Sequence, residues 1–276
     1  MAEILGFDAF SPKEITEKVE SVGVAKARLP ILPTLMLGVL AGGFIGLGAL
    51  YFALVVSDAQ LSFGIARVLG GVVFSLGLIL VVVAGAELFT GNNLLVMAWA
   101  DRKITTAEML RNWVLVYVSN AVGAIGLAVV VYLSHHADMN QGAVGLEYVK
   151  IAAGKTALPF WEAFFKGVLC NLLVCLAVWL ALAGRSVTDK VLAIVFPISA
   201  FVAAGFEHCV ANMYLIPLGI FLKDSVAATT NINTASLDWS GFIGNLIPVT
   251  LGNIIGGSVM VALVYYLIYR RGLKAQ

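Results

Sequence analysis

Two short polar stretches interrupt apolar runs, GAELFTGNN at 85–93 and GFEHCVAN at 205–212. The first sets Glu87, Thr90, Asn92 and Asn93 among hydrophobic neighbours; the second sets Glu207, His208 and Asn212 there. Carboxylate, hydroxyl, amide and imidazole can between them accept hydrogen bonds, donate them and exchange protons. In hydrocarbon an unpaired polar group is strongly penalised, so each of these residues must face protein or a water-filled cavity. His208 is the sole histidine inside such a run. His135 and His136 fall in a loop and read as solvated.

The surrounding runs set the class. Hydrophobic residues make up 61% of the 276 and charged residues 12%, with a mean hydropathy of +0.97, too little charge to cover a soluble domain. A formal net charge of +1 gives neither a basic field for nucleic acid nor an acidic one for a cationic partner. Cys170, Cys175 and Cys209 show no metal-ligand spacing and read as small buried hydrophobes; no metal or cofactor is expected. Runs at 29–57, 68–100, 112–137, about 163–184, 191–222 and 239–269 predict six membrane spans, since about 20 helical residues cross the hydrocarbon.

This divides the chain into a segment over 1–28, a six-helix transmembrane domain over 29–271 and a tail over 272–276. Residues 1–28 mix acids and bases without an apolar stretch, so no cleaved leader is expected. Of the 17 Lys and Arg, 12 fall on one side: Lys13, Lys18, Lys26, Arg28, Arg102, Lys103, Arg111, Arg185, Lys190, Arg270, Arg271 and Lys274. The positive-inside rule assigns that side, and both termini, to the cytoplasm of a cell inner membrane. Within SPKEITEKVESV (11–22), Ser11, Pro12 and Glu14 form a capping-box start, and Ile15, Val19 and Val22 share a face, so a short amphipathic helix should precede the first span.

The second and fifth spans are too long for straight helices, and each carries a single charge, Glu87 or Glu207. Both are predicted to break into half-helices, near 88–91 and 206–210, with Gly85, Gly91 and Gly205 relaxing the backbone. Aligned on the glutamates, the loops share Gly, Glu and Asn at equal offsets, and NAVG (120–123) is echoed by NIIG (253–256). A three-span unit used twice must insert its second copy upside down, giving an inverted repeat whose half-helix N-termini converge on the centre and favour an anion. Glu87 and Glu207, with Asn92 and Asn212, then read as braces that hold the loop N–H groups rather than as proton relays. Thr90 and His208, one in each loop, can face a common cavity. Gly38, Gly42 and Gly46 give the first span a smooth ridge for close helix contact.

The stretches AELFTGN, GFEHCVANM and NLIPVTLGNIIGG (245–257), in this order, resemble the formate/nitrite transporter family. The resemblance runs from KARLP at 26 to the last span and takes in GGVVFSLGLIL (70–80) and NLLVCLAVW (171–179). GRSVTDK (184–190) is more similar to the formate channels, whereas Gly91-Asn92-Asn93 is closer to nitrite-like and other branches. What the resemblance implies is an aquaporin-like fold assembled as a homopentamer in membrane lipid, with an anion pore in each protomer. It implies pore constrictions at Phe74, Phe201, Leu78, Phe89 and Val174, with Asn171 a third polar group at the pore, beside or beneath the ring of His208. It also makes Lys155 an outer-mouth lysine.

Together these readings predict a channel or transporter for small monovalent anions, formate first, with proton coupling through His208, and not an enzyme. Nitrite or hydrosulfide is the alternative substrate within the same family. A water- or ammonia-type channel would use a comparable repeat, but paired NPA motifs and twin histidines are missing from the sequence. A haem or metal enzyme would need a ligand cluster that the sequence does not offer.

Overall fold

Capping residues fix where the chain enters its helices. The computed structural model describes residues 9–58, 60–227 and 232–271. The expected tail at 272–276, Lys274 and the first eight positions lie outside them. The Ser11 side chain accepts from the Glu14 N–H, and Glu14 reaches back to Ser11, so α1 starts at the expected place. It runs Pro12–Ala27, longer than expected, because its buried face continues through Glu20, Gly23 and Ala27 while Val22 is exposed.

The remaining helices are α2 (Ile31–Val56), α3 (Phe63–Gly85), α4 (Leu95–Ala100, after a 3-10 turn at Gly91–Leu94), α5 (Thr106–Leu133) and α6 (Ala143–Thr156). After these come α7 (Phe160–Ala183), α8 (Val187–Ala204), α9 (Cys209–Ala227) and α10 (Trp239–Arg271). Among the described residues the fold is all helical. Five helices, α2, α3, α5, α7 and α10, are long and apolar enough to cross a membrane. Many large apolar side chains point outward from them, Phe63 at 82% and Leu133 at 67% exposure among them, an arrangement that suits lipid and not water.

The two expected interruptions are present. Helix α3 ends at Gly85, whose φ of +89° lies in the left-handed region, and the backbone is irregular to residue 90. Helix α8 ends in the same way at Gly205, with φ of +74°, and α9 begins at Cys209. Each break starts earlier than expected because the left-handed glycine closes the preceding helix. Gly91 plays no such part: it opens the 3-10 turn before α4.

The glycine ridge of α2 faces inward. Gly38 meets Ser119, Gly42 meets the backbone of Asn120 and Ala124, and Gly46 meets Leu127 and Tyr214. On the face that carries the described terminal segments, buried Glu20 of α1 pairs with Lys103 and Arg270. Asp101 joins the same two cations, fastening α1 to the end of α10.

Candidate functional site

Each interrupted segment is held by one lysine, one glutamate and three asparagines. In the first, Lys26 Nζ pairs with Glu87 Oε1 at 2.8 Å, and the Asn92 amide donates to Glu87 Oε2 at 2.7 Å and to Asn112 Oδ1 at 2.9 Å. Asn112 donates to the Lys26 carbonyl. Asn120 accepts the Phe89 N–H at 2.9 Å and donates to the carbonyls of Gly38 and Glu87. The freed backbone groups of the loop thus find partners without water, as burial in a membrane demands.

The second segment repeats this network, except that the Lys26–Asn92 Oδ1 bond at 3.0 Å has no counterpart. Lys155 Nζ pairs with Glu207 Oε1 at 2.8 Å, and Asn212 donates to Glu207 Oε2 and to Asn245 Oδ1, each at 2.7 Å. Asn245 donates to the Lys155 carbonyl. Asn253 accepts the Cys209 N–H at 3.0 Å and donates to the carbonyls of Gly167 and Glu207. Even the Glu87 N–H to Leu37 carbonyl bond has its counterpart, Glu207 N–H to Lys166 carbonyl.

The loops meet through their polar tips. Thr90 Oγ1 lies 3.0 Å from His208 Nε2, and both residues are buried. The other ring nitrogen, Nδ1, accepts the Ala211 N–H at 3.1 Å, so His208 caps the first turn of α9. With Nδ1 occupied as an acceptor, the neutral ring carries its proton on Nε2 and donates to Thr90. The Thr90 hydroxyl proton is then left to be donated elsewhere.

Two cavities border the loops, one lined by His208 and the other by Leu88 and Gly91, near Thr90 in the chain. One, of about 250 Å³, is lined by His208, Glu207, Phe74 and Phe201 and by four cations, Arg67, Lys150, Lys155 and Lys166. The other, of about 440 Å³, is lined by Leu78, Leu88, Gly91, Glu87, Asn92 and Lys26. Phe74 meets Phe201 edge to face at 5.6 Å, and the Phe201 ring stacks on His208 at 6.0 Å.

Of the expected constriction residues, Phe74 and Phe201 therefore wall the first cavity and Leu78 the second. Phe89 and Val174 are buried but line neither, and the Phe89 ring packs edge-on against Trp113 and Tyr117. Asn171 is hydrogen-bonded to the Thr90 segment. Its amide donates to the Thr90 carbonyl, Asn93 Oδ1 and the Asn253 carbonyl, so it stands behind Thr90 and makes no hydrogen bond to the ring. Lys155 lines the first cavity and is the partner of Glu207, with its side chain 14% exposed. His136, expected to be solvated, is half-buried against Tyr148, and burial lowers its pKa.

Lys26, Asn112 and Asn245 were missed by the sequence reading. A signal for them existed: Asn112 and Asn120 are eight residues apart, as are Asn245 and Asn253, and Lys26 precedes Gly38 by the same interval as Lys155 precedes Gly167. Cys170, Cys175 and Cys209 are buried free thiols, as expected.

Long apolar helices, outward-facing apolar side chains and two cavities closed by polar loops define a multi-pass membrane protein with a path toward its interior. A sequence model described as formate/nitrite transporter matches residues 13–267, and the chain belongs to that family. It is 41% identical over 274 residues to the formate channel FocA of Escherichia coli (strain K12), covering 96% of both chains. It is 40% identical over 262 residues to FocA of Haemophilus influenzae, covering 92% of both. A solved structure described as a pentameric formate channel with formate bound is similar with a TM-score of 0.80 and 42% identity. That likeness covers 87% of this chain and 97% of the other. These relatives are channels, and the chain is likewise an anion channel or transporter of this family.

Proposed function

We propose that the protein conducts formate, with the proton carried through His208. The observation that carries this reading is the Thr90–His208 contact, whose imidazole borders the cation-lined cavity. An anion in the cation-lined cavity meets an apolar wall of Phe74 and Phe201, which disfavours a bare charge. The Thr90 hydroxyl supplies a donor at the point where hydration is lost.

Proton transfer to the anion requires an imidazolium, and a second ring proton on Nδ1 would face the Ala211 N–H. Coupling therefore needs the ring to leave its cap on α9 while an anion supplies the compensating charge. A neutral acid then crosses the wall and loses its proton beyond it. Glu87, Glu207, Asn92 and Asn212 serve as braces, and Asn171 fixes the backbone of Thr90 from behind.

Formate is favoured over nitrite and hydrosulfide by the likeness to formate channels; Gly91-Asn92-Asn93 is the feature that keeps those two in the test. Six spans are arranged as an inverted three-plus-three repeat, with 1–28 and 272–276 cytoplasmic and 29–271 within the inner membrane. The matching networks support the repeat, and the twelve cations on one side support the orientation. Five such chains assemble around a common axis, as in the pentameric relative.

The test is flux into proteoliposomes from about pH 5 to 8, with formate, nitrite, hydrosulfide and acetate compared and the lumen pH recorded. Formate should move fastest, with the lumen acidifying. His208→Asn should assemble and lose the component that rises with acidity. An Asn variant with the parent's flux, pH profile and acidification would assign the ring a purely structural role.

A further inference from the structure

Arg67 lies on the same face of α3 as Gly71 and Ser75, at four-residue spacing, and all three meet the backbone of α8. Arg67 donates from Nε to the Ala203 carbonyl at 2.9 Å and from Nη2 to the Val202 carbonyl at 2.8 Å. At Gly71 a Cβ would sit 2.5 Å from the Ser199 carbonyl oxygen, so the helices cross at backbone contact there. Ser75 Oγ reaches the Val195 carbonyl at 3.4 Å.

The carbonyls of Val202 and Ala203 belong to the last turn of α8, where intrahelical donors run out. Gly205 N–H supplies one bond to Val202. The rest comes from the guanidinium fork of a different helix. Immediately before this turn is Phe201, and Phe74 is the residue of α3 that meets it. Directly after it, the Gly205–Glu207 loop leads to His208, whose ring stacks on Phe201. Both members of the aromatic wall are thus referred to one another through Arg67.

We propose that Arg67 is a positioning residue that fixes the aperture between Phe74 and Phe201, and so sets the size of monovalent anion that passes. This rests on the anion-channel reading above. The rival role for the same residue is that of a simple charge, since Lys150, Lys155 and Lys166 line the same cavity, with Glu207 as its acid and Glu147 near Lys150.

Arg67→Met, Arg67→Gln and Arg67→Lys separate the two roles. Met removes charge and donors, Gln removes the charge but keeps an amide donor, and Lys keeps the charge with a single donor point. The readouts are the formate-to-acetate flux ratio at low and high salt, and labelling of Cys209 by N-ethylmaleimide, followed by mass spectrometry. Cys209 is fully buried next to His208. A positioning role predicts that Met lowers the ratio on the order of tenfold and opens Cys209 to labelling, while Gln and Lys stay near the parent. If Met lowers both fluxes equally, added salt erases the difference and Cys209 stays unlabelled, the proposal is overturned.

Should Arg67→Met fail to assemble, Gln against Lys decides. Parent-like ratios in both support positioning; flux lost with Gln alone, at an unchanged ratio, overturns it. A parent protein that carries neither anion would defeat the channel reading, and the labelling of Cys209 would still test the clamp.

Discussion

The two interrupted segments share a scaffold and differ at its tip. Position for position, Leu88 in the first corresponds to His208 in the second, Phe89 to Cys209 and Thr90 to Val210. The surrounding glutamate and asparagines make matching bonds in both segments, and each glutamate pairs with a lysine. Bracing a broken helix whose polar groups are buried is one physical problem with one solution, and both segments keep it. Only one histidine is needed at the meeting point, and the second copy holds it while the first contributes the hydroxyl.

A further difference lies in the lysines. Lys26 bonds both Glu87 and Asn92 Oδ1, whereas Lys155 bonds Glu207 and leaves Asn212 Oδ1, a buried acceptor, without a hydrogen bond. The first network is closed, and the second is open at Asn212 Oδ1. The same residues thus make a locked brace in one half and a looser one in the other.

Removing either glutamate is the largest disturbance of the shared scaffold. Each buried carboxylate holds a half-buried ammonium and an asparagine amide; loss of one member of a fully buried charge pair costs about 3–5 kcal/mol, and less where one partner reaches solvent. Glu87→Ala and Glu207→Ala should therefore both lose most of the assembled protein on size exclusion in detergent, while the Gln variants, which keep one acceptor oxygen, retain part of the hydrogen bonding and more of the assembly. If one Ala variant is tolerated and the other is not, the two networks are not equivalent.

The scaffold was half legible in the sequence. Six apolar runs, two glutamates inside overlong spans and the aligned Gly, Glu and Asn gave the breaks within a residue or two. Lys26 was hidden because a lysine at the end of a span reads the same whether it is solvated or folded back onto a carboxylate. Asn112 and Asn245 lie at the edges of spans, where polar residues raise no alarm. Asn171 was placed at the pore by resemblance, and its three acceptors hold it behind Thr90. Arg67 sits one position before the second apolar run and looked like an ordinary flanking charge.

The closed and open networks can be told apart by their asparagines. Asn92→Ala removes bonds to Glu87, Asn112 and Lys26; Asn212→Ala removes bonds to Glu207 and Asn245 alone. A hydrogen bond to a charged group is worth about 1.5–3 kcal/mol, so thermal unfolding should show the Asn92 variant less stable than the Asn212 variant by about that amount. Equal losses would mean that the Lys26–Asn92 bond adds nothing and the halves are energetically alike.

The smallest effect concerns helix starts, which do not follow the repeat. Thr105 and Glu108 form a capping box before α5, but at the corresponding place before α10 Asp238 caps Gly241 without one. Ser186 and Asp189 form a box before α8, while Ser62 before α3 makes no side-chain bond. With Ser11 and Glu14, all the boxes lie on the face that carries the described terminal segments. The N–H groups of Ser11, Thr105 and Ser186 hold the carboxyls of Glu14, Glu108 and Asp189 below their ordinary values. A lowered folded-state pKa means stabilisation that is present above the ordinary value, 4.5 for Glu and 3.8 for Asp, and lost as pH falls through the lowered one. These carboxyls are exposed, so the loss is confined to the first turns. Hydrogen exchange, corrected for its intrinsic pH dependence, should therefore quicken in the first turns of α1, α5 and α8 as pH drops below the ordinary carboxylate values. The first turn of α3, with no side-chain cap, should not respond. A matching acid response in α3 would remove capping as the reason why the two faces differ.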